Sequence, residues 1–454
     1  MIFFLIVGFL FELLLAILFS KGDFFRPSVI VSGIMFAASV CSAYLAPIWK
    51  FELQDFTVII LLASVVLIIV FDYLTTLFYI PNNKTKITLE YIDVSSLILV
   101  IIICFCIFSI IWHYKYLVSA VGNMSSLSIM ITRYRNMVVW GTLQTKMPSL
   151  LSRVSRLSFN FAYLSIYIFI NNFIVTKSFK RNVKFLIPVI LFSIESVLWG
   201  ARGYIMYLIF ATVIYAYVLS QRDSGWKYKL GLKYISRIVL TLSVIAILFV
   251  ISGNFVGRSS YGSLFYKIAL YFGGGIALLN DFFESGGIHS RGFGAATFVT
   301  MNSFLSRRFG RTDFSEYTQF EFRSHGDYNW GNVYTAIRRY YQDFGIIGVL
   351  IFVTIFAVFF GVYYTSIKKN KYSRKVDGAL LFYGVMIRAQ FLFFYDDELF
   401  SDFFTPSIIV TLIELFICVF FMTRFKIIDN GLKIIIPKLK YRRSIVKKRF
   451  AKLN

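Results

Sequence analysis

EFRSHGDYNWGNVYTAIRRYYQDFGIIGVLIFVTIFAVFFG, from Glu321 to Gly361, is one run with two characters. Its first half is crowded with groups that bind or move protons. Its second half, from Gly345, is a continuous apolar stretch of membrane-spanning length. Between them the spacing predicts an amphipathic helix. At 100° per residue Asn332, Thr335, Arg338, Arg339, Gln342 and Asp343 share one side, and Val333, Ala336, Ile337, Tyr340, Tyr341 and Phe344 the other. Arginine stays charged and grips phosphate through a planar fork, so this face would seat a lipid-linked phosphate at the mouth of a span. The plainer alternative is an i,i+4 pair between Arg339 and Asp343 on a solvated face.

The rest of the chain extends the membrane half. Hydrophobic residues make up 58% of the 454 and charged residues only 15%. The reading is an all-α, polytopic integral membrane protein of about eleven spans. They lie near 1–19, 29–48, 56–80, 94–117, 158–176, 183–199, 203–220, 235–256, 345–367, 377–395 and 404–423. The first is expected to be a retained span, since no basic leader precedes it. Residues 1–256 then carry eight spans, 257–344 a large loop, 345–423 three more spans, and 424–454 a tail. The formal charge of +24 does not point to nucleic acid, because much of it lies beside apolar runs. Basic residues crowd the connections after spans 1, 3, 5, 7 and 9, and the tail, a pattern that places the N-terminus outside and the C-terminus in the cytoplasm. The tail reads as an anchor on anionic lipid. Cys41, Cys104, Cys106 and Cys418 all fall in apolar runs, so neither a disulfide nor a metal site is expected.

Two long connections fall on the outer side. The first, about 118–157, carries Arg133, Arg135, Lys146, Arg153 and Arg156 against the charge rule. Either these residues have a use other than setting topology, or the segment is an amphipathic helix lying flat at the interface. The second, 257–344, holds most of the outer arginines, with His289 and His325. Within it Leu264–Phe283, with its run of three glycines, is apolar but poor as a span, and reads as a re-entrant or interfacial piece. The acidic run Asp396, Asp397, Glu398 and Asp402 reads as an ordinary outer loop in preference to a functional carboxylate cluster.

No phosphate loop and no H-E-x-x-H spacing is present, and an outward site has no ATP. Its substrate would therefore carry its own leaving group, as a glycan on a lipid diphosphate does. Arg202, in the tight turn Gly200–Gly203, would grip a diphosphate at headgroup level or pair with Glu195. Arg291 in Ser290-Arg291-Gly292-Phe293-Gly294 has glycines that let backbone amides approach an anion, or is a plain surface turn. Arg323, beside His325 and Asp327, sets a cation next to an acid–base group, although a loop histidine is commonly just solvated.

These residues resemble the O-antigen polymerase (Wzy) family of repeat-unit polymerases. The likeness lies in Gly331–Thr335, then Tyr341-Gln342-Asp343-Phe344-Gly345-Ile346-Ile347-Gly348, then a span closing at Gly361, together with Ser290-Arg291-Gly292 and the Arg202 turn. It implies an inverting, metal-independent glycosyltransferase of the multi-span GT-C type in a bacterial cytoplasmic membrane, without a cofactor. The growing glycan on undecaprenyl diphosphate would be the donor and the next lipid-linked repeat unit the acceptor, with a flippase and a chain-length regulator as partners. By position Arg202, Arg291, Arg338 and Arg339, with Arg323, would hold diphosphate. The related ligases carry histidine just before the motif's asparagine, where this chain has Gly331. That favours a polymerase and leaves the base open among His325, Asp327 and Asp343. Two rivals remain: an O-antigen ligase, and a flippase or other transporter of the same lipid-linked glycan. The second is disfavoured because charges gather outside the spans and no internal repeat is visible.

Overall fold

The computed structural model describes residues 1–77, 88–143, 145, 147–226, 253, 262–287, 290, 292–310, 320–325, 328–369, 376–428 and 431–434. The eighth expected span, 235–256, lies outside the described residues except for Gly253.

Among the described residues eight helices are long and apolar enough to cross a membrane. They are α1 (Ile2–Phe19), α2 (Pro27–Trp49), α3 (Asp55–Leu77), α4 (Ser96–Val121), α6 (Ser149–Thr176), α9 (Gly203–Asp223), α12 (Ile337–Lys369) and α15 (Ser407–Arg424). The chain is a multi-pass helical protein built for a bilayer, where every backbone polar group must be bonded internally. Two expected spans are shorter and broken. A turn of helix, α7 (Phe179–Asn182), and a 3-10 turn lead into α8 (Ile187–Leu198); α13 (Gly378–Met386) and α14 (Arg388–Phe391) together replace a single span.

Local chemistry sets the ends. Proline opens α2 at a position whose N–H needs no partner, and Lys50 closes it with left-handed backbone. Asp377 caps α13 by accepting from the Ala379 and Leu380 amides. The amphipathic helix expected in the first long connection is α5 (Leu127–Val139), capped by Ser126 and burying Met130, Ile131 and Tyr134.

In α12 the backbone leaves helical geometry at Gly345 (φ 62°, ψ −153°), a conformation glycine tolerates best. The break separates a short stretch, 337–344, from the apolar span, at the residue where the sequence changes character. The short stretch begins at Ile337, so Asn332, Val333 and Thr335 precede the helix rather than belonging to it.

Helix α12 fixes two ends of the bundle. Tyr341 meets Phe56 at the start of α3, and Gly361 lies against Asp72 and Thr75 near its end, so the two helices run parallel. Helix α10 (Leu264–Glu284) packs along α2 and reaches the start of α3. Its first turn touches Tyr44 and Trp49 of α2, and its last turns reach Glu52, Gln54, Thr57 and Phe56. Both of its ends thus meet one end of the bundle. The glycine run makes the crossing: Gly273 packs on the backbone of Cys41 and Ser42, and Gly275 on the Phe394 carbonyl, with no room for a side chain at either. Helix α11 (Val299–Phe309) and the hairpin of β1 (Arg323–His325) and β2 (Tyr328–Gly331) complete this end. A second hairpin, β3 (Phe425–Ile428) and β4 (Gly431–Ile434), follows α15.

Candidate functional site

The face of α12 that carries Arg338, Arg339 and Gln342 is turned into the protein, not toward solvent. Arg338 is 1% exposed. Its guanidinium lies over three rings, 3.8 Å from Tyr334 and 4.2 Å from both Phe282 and Phe320. Such stacking suits a planar, weakly hydrated cation. Nη2 donates to both Glu321 oxygens at 2.9 and 2.7 Å, Nε donates to Gln342 at 3.2 Å, and Nη1 is buried without a partner. Glu321 also accepts from Nε and Nη2 of Arg323, which reaches on to Asp281 and Ser285. Partial burial works to raise the Glu321 carboxyl. The bonds and charge of Arg338, aided by Arg323, outweigh it and hold the group below the ordinary carboxylate range.

The i,i+4 pair of Arg339 with Asp343 does not form. Arg339 turns the other way and grips Asp396 through two parallel bonds of 2.6 Å, with Nη1 on the Ala296 carbonyl at 2.9 Å. Asp343 instead accepts from the backbone amides of Ala296 (3.1 Å) and Thr297 (2.6 Å), so it clamps the segment leading into α11. That use fixes both of its oxygens and leaves it poorly placed as a base.

The acidic run is not a loose loop. Asp396 holds Arg339. Asp397 accepts from Tyr340 at 2.9 Å and from the amides of Leu399, Phe400 and Ser401. Glu398 and Asp402 both pair with Arg388, a buried cation over Tyr207 and Phe403. Burial pushes the Asp397 carboxyl up to about 6, against the pull of Tyr340 and Arg339.

Arg202 is buried in its turn and donates to the Tyr271 hydroxyl at 3.1 Å. The alternative pairing with Glu195 is not made, since Glu195 accepts from Ser109 and Ser155 at 2.6 Å each. Tyr271 and Phe282 are separated on α10 by three helical turns, roughly 16 Å, so Arg202 stands apart from Arg338. His325 lies in β1 opposite Tyr328, at the tip of the hairpin. Asp327 and Arg291 lie outside the described residues, as do His289 and Lys146. The structure thus brings Arg323, Arg338 and Arg339 to one end, with Asp343 as a brace.

Sequence reading missed Glu321, Asp396 and Arg388. Their pairings run over separations of 17, 57 and 14 residues, which no helical period reveals. Arg388 hid inside an apolar run that looked like an uninterrupted span.

The opposite end of α12 carries ion pairs as well. Arg26 binds Asp72 through Nε and Nη2 at 2.9 and 3.0 Å, with Ser28 adding 2.6 Å. Arg222 pairs with Asp377 at 2.7 Å, and Asp23 gathers Lys368, Tyr217 and Tyr364. Ionisable groups also sit within the helices. Besides Glu195, His113 accepts from the Trp199 indole at 2.7 Å, and Glu414 binds Arg156 and Asn160 at 3.0 Å each. The expectation that charges stay outside the spans is therefore too simple. Among the described residues no group of His, Cys, Asp and Glu is arranged to hold a metal ion.

Comparison with family models, with curated proteins and with solved structures returns no match. What the end built around Arg338 can do chemically follows from its own groups: desolvated, aromatic-backed guanidiniums whose carboxylate partners are half-exposed can exchange those partners for phosphate oxygens.

Proposed function

We propose that the chain is a polymerase that joins undecaprenyl-diphosphate-linked oligosaccharide repeat units into a surface polysaccharide at the outer face of a bacterial cytoplasmic membrane. One observation carries the reading: Arg338 is buried under three rings and keeps an unpartnered Nη1, while its carboxylate, Glu321, stays half-exposed and replaceable. In this reading the chain has about eleven spans in a GT-C-like arrangement, with the N-terminus outside and the C-terminus in the cytoplasm. Diphosphate oxygens displace Glu321 and Asp396 from Arg338 and Arg339, and Arg323, which shares Glu321 with Arg338, borders them. An acceptor hydroxyl forms a bond to the anomeric carbon of the donor sugar. The bond from that carbon to the diphosphate breaks, the arginines take up the leaving charge, and the hydroxyl proton passes to a base. Displaced Glu321, ionised and beside the guanidinium, joins His325 and Asp327 as a group for that step.

The test is the glycan length distribution in a polymerase-null strain complemented with Arg338→Lys, which keeps charge but loses the fork. The expected result is a surface of single repeat units at normal protein abundance. Full-length ladders from Arg338→Lys and from Arg338→Ala would remove the reading.

One observation favours transport of the same lipid-linked glycan instead: Glu195, His113 and Glu414 lie buried within apolar helices, as in ion-coupled transporters. Scrambling of a labelled lipid-linked glycan in proteoliposomes, abolished by Glu195→Gln, would select that function.

A further inference from the structure

Beside the arginine-rich end lies an aromatic pair that packing does not explain. Trp140 caps the end of α5 and is 68% exposed; Phe322, between Glu321 and Arg323, is 46% exposed. Their rings lie 5.7 Å apart and are tilted by 31°. Large apolar rings held together in the open mark a place where something binds. On the Phe322 side the surroundings are polar and charged. Phe322 is flanked on both sides by the charges of the Glu321–Arg323 pair, and Asp281 and Ser285 bond the same arginine. Two residues beyond Phe322, exposed Ser324 is paired with exposed Asn329 across the hairpin. Open rings bordered by carboxylate, guanidinium, hydroxyl and amide groups match a sugar, which offers one apolar face and a rim of hydroxyls.

We propose that Trp140 and Phe322 form a sugar-stacking subsite that receives a pyranose ring of the oligosaccharide. It rests on the polymerase reading in one respect, that the glycan's diphosphate is held at Arg338. Glu321 links the two, since it borders Phe322 and bonds Arg338. When diphosphate releases Glu321, that carboxylate is free to accept hydroxyls from the stacked ring. The subsite thus sets how far from the diphosphate the first recognised sugar lies.

The test uses the full chain in lipid nanodiscs. The probe is the repeat-unit oligosaccharide released by mild acid from the host cell's own surface polysaccharide, free of lipid and phosphate. Saturation-transfer NMR and titration should show binding to the wild type. Trp140→Ala and Phe322→Ala should each weaken it about tenfold, since aromatic contacts of this size are worth about a factor of ten. Trp140→Phe and Phe322→Trp should retain it, which separates lost stacking from lost folding. Equal affinity in all variants, or no binding by the wild type, overturns the subsite. So does quenching by brominated phospholipid of a fluorescence component present in the wild type and absent from Trp140→Phe, which would place the ring in the bilayer. Failure of the polymerase reading looks different: repeat units are not extended, yet the free oligosaccharide still binds in a Trp140-dependent way.

Discussion

The two ends of α12 solve the problem of a buried cation in opposite ways. Toward Lys368 two arginines are buried together with their carboxylates: the side chains of Arg26 and Asp72 are 6% and 0% exposed, and those of Arg222 and Asp377 are 3% and 2% exposed. Near Arg338 the cations are as deeply buried, but Glu321, Asp396 and Asp402 are 38%, 28% and 48% exposed. A pair in which both members are desolvated is a lock, since removing either partner strands a charge. A pair whose anion stands in water is held more loosely, and another anion can replace it. One end therefore reads as structural and the other as receptive.

Breaking the lock should give the largest effect. Asp72→Asn and Asp377→Asn each leave a buried arginine without its counter-charge, at a cost of about 3–5 kcal/mol. Membrane abundance and melting temperature should both fall. Glu321→Gln should cost less than either substitution, because water reaches that position and the amide oxygen can still accept from Arg338. Equal losses at the two ends would erase the distinction.

Next in size is the effect on activity of the receptive end. Arg339→Lys keeps a charge near Asp396 but loses the two-pronged grip, and polymer formation should drop about tenfold, in line with one charge-assisted contact of roughly 1.5–3 kcal/mol. Gel ladders normalised to protein level read this directly, and unchanged ladders would confine diphosphate to Arg338.

A smaller change is expected at Asp343. Asp343→Ala frees two backbone amides and should destabilise the start of α11 by about 1–2 kcal/mol, seen as faster amide exchange near Ala296 and Thr297. Activity should respond only through that loosening, with an unshifted pH profile. A lost limb in the profile would instead return Asp343 to the role of base.

The smallest effect is one of pH. The Asp397 carboxyl is raised from 3.8 to about 6 by burial. A raised acid contributes stability that is present below 3.8 and is lost as pH rises through about 6. Melting temperature should fall modestly across that window, and Asp397→Asn should flatten the fall. An unchanged slope in the variant would assign the titration elsewhere.

Much of this contrast could not be seen in the sequence, and the reason is physical. Apolar runs report lipid exposure directly, so α1 to α4, α6, α9 and α15 were legible to within a few residues, apart from the early start of α6 at Ser149. The Gly345 break was legible because composition changes there. The polar face of α12 was also legible, but its partner was not. Periodicity says which residues share a face and nothing about what covers it. Arg339 therefore looked like half of a local pair with Asp343, when Asp396, 57 residues away, was the true counter-charge. The acidic run looked like a loop because its cations lie on other elements.

In the proposed reaction the end around Arg338 performs transfer on an already activated substrate. The most direct test is to give purified chain in nanodiscs lipid-diphosphate repeat units in EDTA, with no nucleotide, and to follow product length. The account predicts a ladder of extended glycans that Arg338→Lys shortens to the starting unit. A strict requirement for a divalent metal or a nucleotide, or ladders unaffected by Arg338→Lys, would contradict it.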